Sequence, residues 1–502
     1  MSSKIQSDRV FTRKQVNDLL NAALNKTLLE VDKARIFEKH SGRIKVTGVA
    51  GDIVEISILG CSRNSIQAPD LIIDGVPTEL KTTGMVEPKK RDSLIPYECK
   101  EPVSITAVSI PTIVGEEFET SNFWHKLEHL LWVYYWYKSS KTVTLETYKT
   151  FPIIGFQFYE FSEDDRLRLK EDWLLVRDFL IVIHRDYPTQ AERDNQYPRL
   201  SSELRGKLLL IDTAPKYPHS PRFRLKRSFA TVIASQYFSQ RQFEKLAKPI
   251  TKYTEVDEKC EQLTAAYSGK SFEEIARELG IQLSSGANSH GVTVKNFAEQ
   301  VVLKMFGSNA KRLNDIEDFA KIGVIAKSLP LTKNGYPKES MKMFTPDFEE
   351  WVAEESFEES FLRSYFAENQ FILIVYEYTH PDAKNKDPKY IVFKEFKRVV
   401  ISEDFIENQV KRFWTEVRSL IRDKRLEIVK AYKKDGTPII NQKSGSHREA
   451  PNFPKEADSD VFMRGSAPNA DESNKTLIIN GLRMLPQEVW LSKRATFKLF
   501  NN

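Results

Sequence analysis

The chain has 502 residues, of which 40% are hydrophobic and 29% charged, with a formal net charge of +5. That length exceeds what one hydrophobic core usually supports, so two or three domains are expected. The mix of apolar and charged residues excludes a disordered chain. No apolar run reaches bilayer-spanning length; the best, Phe371–Tyr376, is strand-sized. Met1-Ser-Ser-Lys-Ile-Gln-Ser-Asp lacks the apolar core of a secretion signal. Cys61, Cys99 and Cys260 form neither a CxxC pair nor a metal spacing. A reduced, cytoplasmic setting fits them.

In chain order, Thr12-Arg-Lys-Gln15 reads as a capping box opening a helix with Val16, Leu19, Leu20 and Ala23 on one face. A second apolar-periodic segment spans 51–60. Leu71-Ile-Ile and Thr78-Glu-Leu-Lys81 read as short strands joined at Asp74-Gly75. Runs at 103–110 and 130–137 are β-rich, and 179–183 and 207–211 are apolar. The stretch 225–234 is expected to open the last helix of this half. Strands mixed with helices in this order predict an α/β or α+β domain over 1–245. Little periodicity remains over 246–268, where the linker is expected.

The second half, 269–502, starts again. Ser271-Phe-Glu-Glu274 is another capping box, with Gly280 as the stop. Phe297–Gly307 echoes Val54–Gly60, and Gly323-Val-Ile-Ala-Lys327 echoes Gly75–Lys81. Phe371–Tyr378 echoes the strand around Trp132, and Leu491–Phe497 echoes Leu225–Thr231. Echoes in one order point to a diverged duplication. Residues 433–475 read as a polar loop region within the second copy.

Asp70, then Glu79 and Lys81, form the first candidate site. Phosphodiester hydrolysis needs a divalent cation to offset charge on the phosphate oxygens, and an activated water in line with the leaving oxygen. Two carboxylates on adjacent strands can hold Mg2+ through hard oxygen donors. Strand alternation puts Glu79 and Lys81 on one face, where Lys81 can orient the water. Glu55 is a candidate third carboxylate. The same Glu-x-Lys pattern recurs at 87–89, 98–100 and 395–397, so context selects the first copy: an apolar strand, a tight turn, then Thr82-Thr83. His125-Lys-Leu-Glu128-His129 spells an inverted zinc-peptidase signature, but a β-forming run follows and no third ligand is identifiable. Lys126 in that segment suits a phosphate chain better. Phosphate-loop, dinucleotide-fold and nucleophile-elbow motifs are absent from the sequence. Basic clusters at Lys89-Lys90-Arg91 and Arg222–Arg227 suit a phosphate backbone.

These residues together resemble the DNA endonucleases typified by the mismatch-repair nickase MutH and the GATC-cutting restriction enzyme Sau-three-A. Gly51-Asp-Ile-Val-Glu55 resembles the family's helix glutamate motif, and Asp70 with Gly75-Val-Pro-Thr-Glu79-Leu-Lys81-Thr its active-site hairpin. Phe123–Val133 is similar to its lysine-bearing strand, and Arg222–Thr231 to a segment that reaches DNA. The resemblance covers about residues 10 to 240 and implies a restriction-endonuclease-like mixed sheet flanked by helices. It implies Asp70 and Glu79 as metal ligands, Lys81 as the catalytic lysine, and Glu55 and Lys126 completing the site. Lys216 lies where the family's base-reading loop lies. Arg224, Lys226 and Arg227 are implied DNA contacts, Arg224 replacing a tyrosine of the nickase.

The second half resembles the restriction enzyme's C-terminal domain, with Ile325 where the first copy has Glu79 and Lys327 retained. Arg464, Lys493 and Arg494 lie in its DNA-reading segments. The implied function is a two-domain type II restriction endonuclease using Mg2+ to cut double-stranded DNA at GATC. Its degenerate second domain would bind a second site as effector, and a cognate DNA methyltransferase would protect host DNA. The alternatives are a strand-nicking repair endonuclease and a non-catalytic DNA-binding regulator.

Overall fold

The computed structural model describes residues 7–40, 48–63, 68–88, 96–139, 143–281, 294–380, 387–433, 435–442 and 445–501. It is a mixed α/β protein that divides into two units. The first takes the chain to 139, 143–255 and 314–323; the second takes 256–313 and 324–502.

In the first unit, Thr12 caps the helix Arg13–Ala23 through the capping box with Gln15, and Val16, Leu20 and Ala23 are buried as their spacing requires. Strands β1 (Val10–Phe11), β2 (Leu71–Ile73) and β3 (Val76–Val86) lie side by side, with β4 (Glu98–Cys99) on the far end of β3. Asp74 and Gly75 both have positive φ, 49° and 82°, the backbone a two-residue hairpin turn demands. After β5 (Val103–Ala107), strand β6 (Leu130–Trp136) pairs parallel with β3, and β7 (Ile153–Tyr159) pairs antiparallel with β6. The resulting order is β1-β2-β3-β6-β7. Being central, β6 is buried on both faces, hence its unbroken run of Leu, Trp, Val and Tyr. A second sheet, β5-β9-β8, uses β8 (Ile211–Asp212) and β9 (Arg222–Leu225).

The apolar run 179–183 is helical. It lies within the helix Glu163–Asp186, which buries Leu169, Trp173, Val176, Leu180 and Ile183 at helical spacing. On that helix Asp172 accepts the N–H groups of Leu209 and Leu210 at 2.7 Å each and so moors the chain entering β8. The helix Arg227–Ser239 follows β9.

The segment 246–268, expected as a linker, contains the 15-residue helix Tyr253–Tyr267. A segment from beyond it, 314–323, belongs to the first unit. Its helix Glu317–Ile322 supplies Asp318 and Lys321 to a buried network. Lys321 Nζ donates to Asp165 at 2.7 Å and pairs with Glu317 at 2.7 Å, while Arg168 joins Asp165 at 2.9 Å and also binds Asp318. Charges this deep persist only because each has partners.

The strands of the second unit are β10 (Val324–Leu331), β11 (Met341–Phe344), β12 (Gln370–Tyr378), β13 (Ile391–Val399), β14 (Ile428–Lys430), β15 (Glu449–Pro451), β16 (Val461–Gly465), β17 (Leu477–Ile479), β18 (Leu482–Met484) and β19 (Gln487–Leu491). Taken alone, this unit repeats the β3-β6-β7 core of the first as β10-β12-β13. β12 pairs parallel with β10 and antiparallel with β13, as β6 does with β3 and β7. The sheet β11-β19-β16 is all antiparallel, as is β5-β9-β8, and a helix follows each, here Lys493–Asn501. The polar region 433–475 is more structured than a loop, since it carries β15 and β16. Among the described residues no helix is long and apolar enough to cross a membrane.

Candidate active site

The hairpin turn at Asp74-Gly75 folds the chain back so that Asp70 meets β3. Asp70 Oδ2 accepts the Leu80 N–H at 3.0 Å, and its other oxygen takes no hydrogen bond from the described residues. Along β3, alternation sets Glu79 and Lys81 on one face, and the Lys81 ammonium donates to Glu79 Oε1 at 2.7 Å. The same ammonium lies 3.5 Å from the Ile105 carbonyl of β5. Lys126 follows the short helix Asn122–His125, which Ser121 caps and Phe123 and Trp124 anchor by burial. The parallel register of β3 with β6, Glu79 beside Leu130, brings Lys126 within reach. Its Nζ contacts Glu79 Oε1 at 3.0 Å and Oε2 at 2.8 Å.

Glu79 is only 3% exposed, a burial a carboxylate tolerates when paired cations offset its desolvation. Asp70 has less help. Burial first, and the Glu79 carboxylate second, push its carboxyl up to about 6, against the pull of Lys126 and Lys81. Two hard oxygen donors that repel one another, one with a free oxygen, form an arrangement a divalent cation relieves. The donor set thus fits Mg2+, which takes one or two carboxylates and fills its remaining positions with water and phosphate oxygen. Asp70 and Glu79 would hold it. Among the described residues no group of three or more His, Cys, Asp or Glu side chains is placed to share a metal.

Glu55 is held apart from that pair. Its segment, Ile53–Ile58, is a π-helical turn, and its Oε1 accepts from Arg9 Nη2 at 2.5 Å. Arg9 is 2% exposed; it also donates to the Asp70 carbonyl at 2.8 Å and to the Ser62 carbonyl at 2.5 Å. Sequence reasoning missed Arg9, because nothing around it marks it and its partners lie 46 to 61 residues away. It is the arginine that joins the backbone of the expected ligand Asp70 to the side chain of the expected catalytic residue Glu55.

The expected DNA-contacting residues separate into groups. Lys89, Lys90 and Arg91 lie outside the described residues. Lys216 sits half-buried on the loop after β8. Arg224 is fork-paired across the β8–β9 ladder with Asp212 at 2.8 and 2.7 Å, and Arg227 pairs with Glu98 at 2.9 Å. Lys226 is turned inward, buried with its ammonium on the Leu208 carbonyl at 2.5 Å, so it is not presented to a ligand. Arg222, at the start of β9, is exposed. In the second unit Arg464 pairs with Glu456 at 3.1 Å and Arg494 with Asp460 at 2.8 Å, while the Lys493 N–H, at the head of its helix, donates to Glu456 at 3.2 Å. At the echo of the hairpin, Ile325 packs against the core and Lys327 donates to the Lys342 and Met343 carbonyls. The zinc-peptidase alternative does not assemble: the helix stops at His125, and His129 faces Glu160 at 3.1 Å.

The mixed sheet thus gathers two acids and two lysines at the β3–β6 junction. Residues 59–172 match the family model of the DNA mismatch repair enzyme MutH. That span contains Asp70, Glu79, Lys81 and Lys126 and leaves out Arg9 and Glu55. Over 454 residues the chain is 22% identical to the type II restriction enzyme Sau3AI of Staphylococcus aureus, a match covering 86% of this chain and 84% of that protein. The chain therefore carries a MutH-like segment and is similar, over most of its length, to a type II restriction enzyme.

Proposed function

We propose that the protein is a type II restriction endonuclease that hydrolyses double-stranded DNA with Mg2+ at GATC, leaving 5′-phosphate and 3′-hydroxyl ends. The observation that carries this is the convergence of Asp70, Glu79, Lys81 and Lys126 at the junction of β3 and β6. Mg2+ bound by Asp70 and Glu79 would supply charge neutralisation at the phosphate and a more acidic bound water. Lys81, steered by Glu79 and the Ile105 carbonyl, is positioned to orient the attacking water or take up its proton. Lys126, 2.8 Å from Glu79, would offset the negative oxygens of a scissile phosphate bound at this junction. Arg9, donating to the Asp70 carbonyl at 2.8 Å, fixes the main chain of that residue.

For the second unit the reading is a diverged duplicate that keeps DNA contact without cleavage. The matching β10-β12-β13 core supports this, as does Ile325 on the strand where the first unit has Glu79. It would bind a second copy of the site and activate the first unit. A match across most of the length of a restriction enzyme favours this over the strand-nicking reading. Digestion of a sequenced plasmid with Mg2+, and with chelator as control, tests the proposal through the fragment ends. Double-strand breaks at one short sequence are expected. Nicks, or no cutting at any Mg2+ concentration, would overturn it.

A further inference from the structure

The second unit contains a cavity of about 570 Å3 walled by the helix Lys411–Arg422, the hairpin β14–β15 and the turn 453–459. None of its lining residues has a role above. The volume lies within the range of small-molecule sites. Four cations line it: Arg412, Lys430, Arg448 and Lys455. No side chain of the four makes a hydrogen bond or ion pair with the described residues.

The acids that could have neutralised them are engaged elsewhere. Glu449 stands directly opposite Lys430 in the β14–β15 register, yet its carboxylate is bound by Lys475 at 2.5 Å. Glu456, next to Lys455, accepts from Ser340, Arg464 and the Lys493 N–H. Asp460 accepts from Ser492 and Arg494. Glu416 and Asp458 remain on the wall, so cations outnumber the unengaged acids. Lys455 is the most enclosed of the four, and burial pushes its ammonium down to about 8 with no carboxylate to offset it. Its desolvation is therefore uncompensated until an anion enters. Pro451, Phe453 and Pro454 add an apolar wall beside the charges. A bare phosphate would use only part of that space.

We propose that this cavity binds a phosphate group carried on a nucleoside-sized body, either a free nucleotide or one nucleotide of a DNA strand. The site does not depend on the cleavage reading, because binding can be measured with the metal removed. The test is calorimetric titration of the full-length protein in chelator with deoxyadenosine monophosphate, with deoxyadenosine, and with a short duplex lacking GATC. Deoxyadenosine monophosphate should bind and deoxyadenosine should not. Lys455→Gln and Arg448→Gln should each weaken binding about tenfold, the scale of one charge-assisted hydrogen bond, and Lys455→Arg should keep most of it. If the mononucleotide fails but the duplex weakens by that factor in the same variants, the source is the DNA strand and the site stands. Arg448 is exposed, so its variant decides the matter even if the Lys455 variant folds poorly. Affinity for both probes within twofold of wild type in Arg448→Gln, or in a folded Lys455→Gln, would overturn the proposal.

Discussion

Replacing Asp70 by Asn should make the metal-free protein more stable while abolishing its reaction. The Asp70 carboxyl is pushed from 3.8 to about 6, chiefly by burial and then by Glu79. Its folded form therefore holds a proton that the unfolded form has already lost between about pH 4 and 6. Stability falls as pH rises through that window, and the full cost is present above it. At about 1.4 kcal/mol per tenfold, the cost is ~3 kcal/mol at pH 8, reduced to ~1–3 kcal/mol if Lys81 and Lys126 swing toward the charge. Asparagine is uncharged and can keep the bond from the Leu80 N–H through its carbonyl oxygen. Urea unfolding in chelator at pH 8 and pH 4.5 measures this. Asp70→Asn should gain ~1–3 kcal/mol at pH 8 and little at pH 4.5, and Mg2+ should raise the midpoint of the wild type but not of the variant. An equal change at both pH values would refute the argument, because the gain would then have nothing to do with charge.

Lys81→Ala should abolish cleavage while leaving duplex affinity in Ca2+ within a few-fold; residual full activity would remove it from the site. Arg9→Lys keeps the charge but cannot span Glu55, Asp70 and Ser62 together, so the Mg2+ concentration for half-maximal cleavage should rise about tenfold or more with saturating rate less affected. An unchanged metal requirement would make Arg9 a fold residue only. Lys226→Met should leave DNA affinity unchanged and lower stability by about 1–3 kcal/mol, since the Leu208 carbonyl loses its donor. Truncation after residue 268 should destabilise the first unit by about 3–5 kcal/mol or more, because Asp165 and Arg168 lose Lys321 and Asp318. A fragment with the full-length urea midpoint would contradict that.

The sequence alone determined the elements that local chemistry specifies. The capping boxes at Thr12 and Ser271 close as written, since each needs only residues three apart. The Asp74-Gly75 turn and the β2–β3 hairpin follow from backbone preferences within a few residues, and with them the facing of Glu79 and Lys81. The acid pair was legible for the same reason, since one hairpin carries both members. Only the tertiary structure decided what depends on distant pairing. The run 179–183 looks the same in a buried strand as on a helix face, and packing over the full length of Glu163–Asp186 made it helix. Lys226 and Arg224 read as DNA contacts because a basic cluster shows charge but not direction; burial against Leu208 and the fork with Asp212 set their direction. Arg9, 46 residues from Glu55, and Lys321, 156 residues from Asp165, have no local signature at all. A buried charge is placed by the partner that compensates its desolvation, and chain topology alone selects that partner.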